Sequence, residues 1–194
     1  MTAILDAAHD ALRRATANLT PELLGSSTPC TEWTVAQVTE HAVLDQAIWA
    51  AAVSGGTPPE GDAFAPTGAL PADVAGMVDA ALRRAASAWS AVPAAARTVA
   101  SPLPQGRLDV GTAARMAALD AAVHAWDIAV AVGAGPVLTD GLAGEIAPAA
   151  RELVEPLRAW GAYAAARETV PGEGPADALL RHLGRDPRWT AADR

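Results

Sequence analysis

The 194-residue chain sets 14 lysines and arginines against 22 aspartates and glutamates, a formal charge of −8, and its basic residues form no dense run. That balance excludes nucleic acid and an anionic membrane surface as expected partners. Half of the composition is hydrophobic (51%), but only 4% is aromatic, so the remainder is mostly small aliphatic residues, alanine above all. Alanine loses no side-chain entropy on entering a helix, and the composition points to closely packed helices with a few tryptophan anchors. Cys30 stands alone, which leaves no intrachain disulfide to form. No charge-free apolar run reaches membrane-spanning length, and the opening stretch MTAILDAAHDALRR has acidic residues where a signal peptide would have basic ones, so none is expected. The expected location is cytoplasmic, and the expected assembly is a monomer or homodimer.

Residues 2–24 carry Ile4, Leu5, Ala8, Leu12, Ala15 and Leu19 at helical spacing, and Pro29 interrupts the chain beyond them. Thr34-Val35-Ala36-Gln37 reads as a capping box, opening a second helix that ends at Gly55-Gly56. Residues 57–70, rich in proline and glycine, form a loop. A third helix is expected from about Pro71 to just before Pro93. Residues 97–110 are irregular, with a short extended pair around Pro104-Gln105-Gly106. A fourth helix runs from about Thr112 to Val132 and stops at Gly133. A fifth begins near Asp140, where Pro148 and Pro156 should kink or divide it. A turn at 171–175 leads to a short helix closed by Gly184-Arg185-Asp186-Pro187. The expected fold is all-α: a four-helix bundle with an irregular or extended segment before helix 4 and a helical C-terminal extension. Residues 1–170 would form the bundle domain, and residues 171–194 a helical tail packed on it.

The fourth helix carries the chemistry. Between Met116 and Val132 its polar side chains are Asp120, His124 and Asp127, apart from the indole NH of Trp126. At about 100° per residue the three fall in a sector roughly 60° wide. A helix apolar nearly all round is normally buried, and buried carboxylates need partners. Asp120 and His124, spaced i and i+4, can reach one ion. His41 lies on the inward stripe of the second helix with Val38, Leu44, Ile48 and Ala52. Two histidines and a carboxylate suit Zn²⁺ or another divalent transition metal such as Ni²⁺ or Fe²⁺, and leave a coordination position open. Asp127 could orient an imidazole from behind. Plainer readings stay open. An inward histidine is often a hydrogen-bonded core residue, Asp120–His124 can be a simple helical pair, and Asp127 can cap a loop or pair with an arginine.

Trp33 and Trp126 adjoin these residues, as walls of a substrate pocket or as bundle core. Cys30 could be a fourth ligand, a reactive thiol or a small buried residue. His9 and His182 have no evident partner and are expected at the surface. Arg83-Arg84 and Arg107 could bind an anionic cosubstrate or be solvated charge.

Three stretches resemble the DinB-like superfamily of metal-binding four-helix proteins, in the branch containing the N-terminal domain of mycothiol-dependent maleylpyruvate isomerase. They are Pro29-Cys30-Thr31-Glu32-Trp33-Thr34-Val35 followed by His41, Asp120-Ala-Ala-Val-His124-Ala-Trp126-Asp127, and Leu179-Leu180-Arg181-His182-Leu183-Gly184-Arg185-Asp186-Pro187. The resemblance implies a DinB-like bundle in which His41, Asp120 and His124 ligate a divalent metal, usually zinc. It also implies mycothiol as cosubstrate. The family more often has glutamate at the position of Asp120, which is one methylene shorter and bears on affinity and metal identity.

The leading expectation is a thiol-dependent transferase or isomerase. The metal would favour the thiolate of a small-molecule thiol, which attacks an electrophilic small molecule. A non-catalytic metal- or ligand-binding module and a metal-dependent hydrolase are the alternatives. An iron oxygenase would use the same ligand types but suits a helical scaffold less well.

Overall fold

The computed structural model describes residues 2–191 and is an all-α bundle carrying one small hairpin. Its elements in chain order are α1 (Thr2–Thr16), α2 (Val35–Ser54), α3 (Val74–Ser90), β1 (Thr98–Ala100), β2 (Arg107–Asp109), α4 (Val110–Ala131), α5 (Asp140–Arg158) and α6 (Pro175–His182). Helices α1 to α4 form the four-helix bundle. In it α4 packs against α1 and α2, while α3 closes the ring against the same two helices. Helix α5 lies on the outer side of α4, and α6 packs on α5.

This arrangement accounts for the composition of α4. Flanked by α1, α2 and α5, it has sixteen buried residues, seven of them alanines between Ala113 and Ala125. Side chains of one methyl group let three neighbouring helices approach closely, while Leu119 and Ile128 fill the wider gaps. The hairpin pairs Thr98 with Asp109 and Ala100 with Arg107 in antiparallel register. It leads directly into α4, whose first turn is capped by Asp109 accepting from Gly111 and Thr112 backbone N–H groups.

Local chemistry sets most boundaries where expected. Thr34 and Gln37 form the capping box of α2, and Gly55 ends that helix in the left-handed conformation at φ 69°. Three expectations are corrected. Helix α1 stops at Thr16 and does not run on to residue 24; the Thr16 hydroxyl donates back to the Leu12 carbonyl at 2.9 Å, and the chain then passes into turns that include Pro21. Helix α3 begins at Val74, capped by Asp73, so Pro71 lies outside it. Helix α5 runs undivided through Pro148 and Pro156. Both prolines are on its exposed face, as are Gly144 and Glu152 one turn earlier, so the carbonyls they leave without donors can face water.

Candidate metal centre

The seam between α2 and α4 brings His41, Asp120 and His124 together. Asp120 Oδ1 lies 3.2 Å from His41 Nε2 and 3.4 Å from His124 Nε2. The rings of the two histidines meet edge to face with centroids 4.6 Å apart. Each imidazole is held from behind. His41 Nδ1 donates to the Ala63 carbonyl at 2.7 Å, and His124 Nδ1 contacts Asp127 Oδ2 at 2.9 Å. With Nδ1 occupied on both rings, both Nε2 atoms face the same carboxylate oxygen. Three electron-pair donors converging without a donor hydrogen among them need a cation or a proton between them.

The spacing fits a metal. Two ligands at about 2.1 Å from a tetrahedral ion lie about 3.4 Å apart, and the three donor atoms here all lie within 4.8 Å of one another. The shorter Asp120 side chain therefore still reaches both imidazoles. Its other oxygen, Oδ2, is buried and meets no N–H donor; the neighbouring Asp45 carboxyl satisfies it when that group carries its proton. A divalent cation is compatible with all of these features.

The electrostatics of the metal-free cluster run the same way. Burial alone would raise the Asp120 carboxyl, but the charges of His124 and His41 hold it well below the ordinary range. Burial alone would lower His124, yet Asp120 and then Asp127 raise it well above the usual histidine value. A proton on His124 thus stands where a metal would act.

Asp127 does more than orient the ring. It is fully buried, and Arg185 grips it with Nε to Oδ1 at 2.9 Å and Nη2 to Oδ2 at 2.7 Å. That bidentate pair keeps Asp127 ionised against the cost of burial, which alone would raise it. Cys30 adds its sulfur 3.4 Å from Asp127 Oδ2 and 3.3 Å from Arg185 Nη2. Cys30, His124 and Asp127 also have donor atoms close enough for a metal. Both Asp127 oxygens and His124 Nδ1 are already engaged with each other and with Arg185, so this second group reads as a hydrogen-bonded support.

Sequence reasoning passes over two residues of this site. Asp45, one helical turn after His41, mirrors on α2 the Asp120–His124 spacing of α4. That signal was available in the spacing. Its Oδ2 is buried beside Asp120 with no N–H donor, and burial followed by the charge of Asp120 pushes its carboxyl well above the ordinary range, so that it can share its proton with Asp120. Arg185 arrives from the segment after α6, 58 positions beyond Asp127, and periodicity gives no hint of that contact. It depends on Gly184, at φ 84°, where a Cβ would stand 2.7 Å from the Ala164 Cβ and 2.9 Å from the Ala165 carbonyl.

Trp33 packs beside His41, with ring centroids 4.9 Å apart, and lines the cavity above the cluster. Trp126 is buried in the core and does not line that cavity. The loop 57–70 is tied to α2. Gln37 Nε2 donates to the Pro66 carbonyl, and Glu40 accepts from the Gly68 N–H. His9 is corrected from surface to core; it is 1% exposed and bonded to Gln46. His182 is part-buried, its Nε2 3.3 Å from the Ala150 carbonyl. Arg83 pairs with Asp79, and Arg107 bonds Thr98, so neither faces the cluster.

The sequence profile of the mycothiol maleylpyruvate isomerase N-terminal domain family matches residues 5–129, a span that contains His41, Asp120 and His124. Two uncharacterized proteins of Mycobacterium tuberculosis, from strains CDC 1551 / Oshkosh and ATCC 25618 / H37Rv, are each 35% identical over 184 residues. The similarity covers 93% of this chain and 95% of theirs. No solved structure matches the chain significantly. Within the described residues no helix is long and apolar enough to cross a membrane.

Proposed function

The chain belongs to the mycothiol maleylpyruvate isomerase N-terminal domain family, and on that premise we propose that it binds a divalent metal, zinc foremost, through His41, Asp120 and His124 and acts as a thiol-dependent transferase or isomerase. The observation that supports this most directly is the convergence of two Nε2 atoms on Asp120 Oδ1 at 3.2 and 3.4 Å, with both Nδ1 atoms already engaged. A divalent cation with a free coordination position supplies the positive charge that favours thiolate over thiol at neutral pH.

The chain's own residues do the remaining work. The Ala63 carbonyl and Asp127 hold the imidazoles in the tautomer whose Nε2 faces inward. Arg185 keeps Asp127 ionised, so it accepts from His124 and does not compete for its proton. The raised Asp45 carboxyl favours its protonated form, which limits the negative charge beside Asp120. Trp33 packs against the His41 ring at the cavity wall. In the transferase form, a small thiol such as mycothiol gives up its proton to solvent. Its sulfur bonds to an electrophilic carbon and displaces that carbon's leaving group with its electron pair, and the thioether leaves as product. In the isomerase form, the sulfur adds to a double bond, rotation follows, and the carbon–sulfur bond breaks again.

Cobalt substitution tests this reading. A small thiol added to cobalt-loaded protein should produce sulfur-to-metal charge-transfer absorption in the near ultraviolet, with proton release near neutral pH. Asp120→Glu should keep the metal, and Asp120→Asn should weaken both metal and thiol binding. No spectral change with millimolar thiols, mycothiol included, would favour a hydrolase or a non-catalytic binding module.

A further inference from the structure

Above the cluster opens a cavity of about 670 Å³, bordered by the 57–70 loop, the segment between the two strands and the turn after α5. Its charges are one-sided. The acidic residues lining it are Glu32, Asp45 and Asp120, whereas Arg185 is the one lysine or arginine among the described lining residues. The charge of Arg185 is already paired, with Nε and Nη2 on Asp127, Nη2 also on the Cys30 sulfur and one Nη1–H toward the Leu183 carbonyl. Among the described lining residues no lysine or arginine has an unpaired charge with which to meet a carboxylate.

The floor carries the polar cluster and Tyr163, the upper walls are largely apolar, and the mouth is aromatic. Phe64 and Trp160 line the cavity while 65% and 67% exposed, and they are two of the three large hydrophobic side chains that stand out in solvent among the described residues. Leu103, between Pro102 and Pro104, faces the same space. Exposed rings gathered at the entrance of one cavity mark a surface that gains by covering an apolar ligand.

We infer that the electrophile taken by this cavity is a small neutral molecule with a flat, apolar body, held at the mouth by Phe64 and Trp160, and not a dicarboxylate such as the maleylpyruvate in the family's name. This rests on the metal–thiol reading of the same cavity. A thiolate added to the two charges of a divalent cation and the charge of Asp120 leaves that centre neutral, so an anionic substrate finds no compensating charge there. Phe64 and Trp160 determine specificity; neither belongs to the reacting centre.

Calorimetric titration of the zinc-loaded full chain, held in saturating 2-mercaptoethanol so that the open coordination position is filled, with methyl 4-nitrobenzoate and with 4-nitrobenzoate separates the two classes, since the probes share a body and differ in charge. The ester should bind at least about tenfold more tightly than the anion, the size of preference expected when a charge enters an apolar site without a partner. Trp160→Ala and Phe64→Ala should each weaken the ester about fivefold or more while zinc stoichiometry and helicity are unchanged. Equal or tighter binding of the anion, or ester affinity untouched by both substitutions, overturns the inference. Neither titration requires turnover, and thiol binding is read separately from the cobalt–sulfur band, so a missing band would sink the functional reading while the Trp160→Ala and Phe64→Ala titrations with the ester still decide this one.

Discussion

Two histidine clusters lie along the same pair of helices, α2 and α4, and they are completed in opposite ways. In the first, His9 from α1 meets Gln46 Oε1 at 3.0 Å, and Gln46 Nε2 donates to the Ala117 carbonyl of α4 at 3.0 Å. Burial, partly opposed by the Gln46 bond, holds His9 below its ordinary pKa and so favours a neutral, enclosed ring. In the second, His41 and His124 converge on Asp120 under an open cavity, and the buried carboxyls of Asp45 and Asp120 have only a shared proton to satisfy their Oδ2 atoms. A buried polar cluster that closes on itself specifies packing. One that stays electrostatically incomplete at the floor of a cavity is suited to hold something else.

Substitutions can break that contrast, and the largest effect should come from the support of the open cluster. Arg185→Met leaves the buried Asp127 carboxylate with only His124 and Cys30 as partners and should cost about 3 kcal/mol in chemical denaturation. The double variant Asp127→Asn/Arg185→Met should lose clearly less than the two single losses added together, because no uncompensated charge remains. Additive losses would mean that the pair contributes only packing.

His41→Ala and His124→Ala should each weaken zinc binding by at least about 100-fold, since two ligands cannot close a three-ligand site, while circular dichroism shows most helicity intact. Full metal retention in both, measured by mass spectrometry of the native protein, would remove the proposed centre. His9→Ala should behave in reverse, keeping zinc but losing about 2 kcal/mol of stability, because Gln46 Oε1 is left buried without a donor. The pH dependence has a definite sign. Holding His9 neutral contributes stability that is fully present above about pH 6.5 and lost as pH falls through the depressed folded value. The difference between wild type and His9→Ala should therefore narrow below pH 6.5, and a gap that widens on acidification would contradict a buried neutral imidazole.

The smallest expected effect is at the α2 cap that precedes His41. Thr34→Ala removes the side chain that accepts from Gln37 N–H and should cost about 1 kcal/mol, read as a melting shift of about 2–4 °C. If zinc affinity falls with it, the helix start also sets the ligand geometry. If zinc affinity is unchanged, the Ala63 carbonyl and the 57–70 loop suffice to fix the ring of His41.

Helix existence, the capping box, the stop at Gly55 and the near-complete burial of α4 were legible in the chain because each depends on residues within a few positions of one another. So was the strip of Asp120, His124 and Asp127, since 3.6-residue periodicity alone puts them on one side of α4. The hydrogen-bonded partners of that strip were not legible. His9 looked solvent-exposed because the group that satisfies it, Gln46, is 37 positions away on another helix. Asp45 repeated a visible spacing, but its meaning depends on how closely α2 approaches Asp120. Arg185 reaches Asp127 only because Gly184 turns the chain where no Cβ fits. Local sequence determined which side chains face inward. Which of them meet, and which are left unsatisfied, was decided by helix packing and chain reversals that join residues tens of positions apart, and these have no periodicity to announce them.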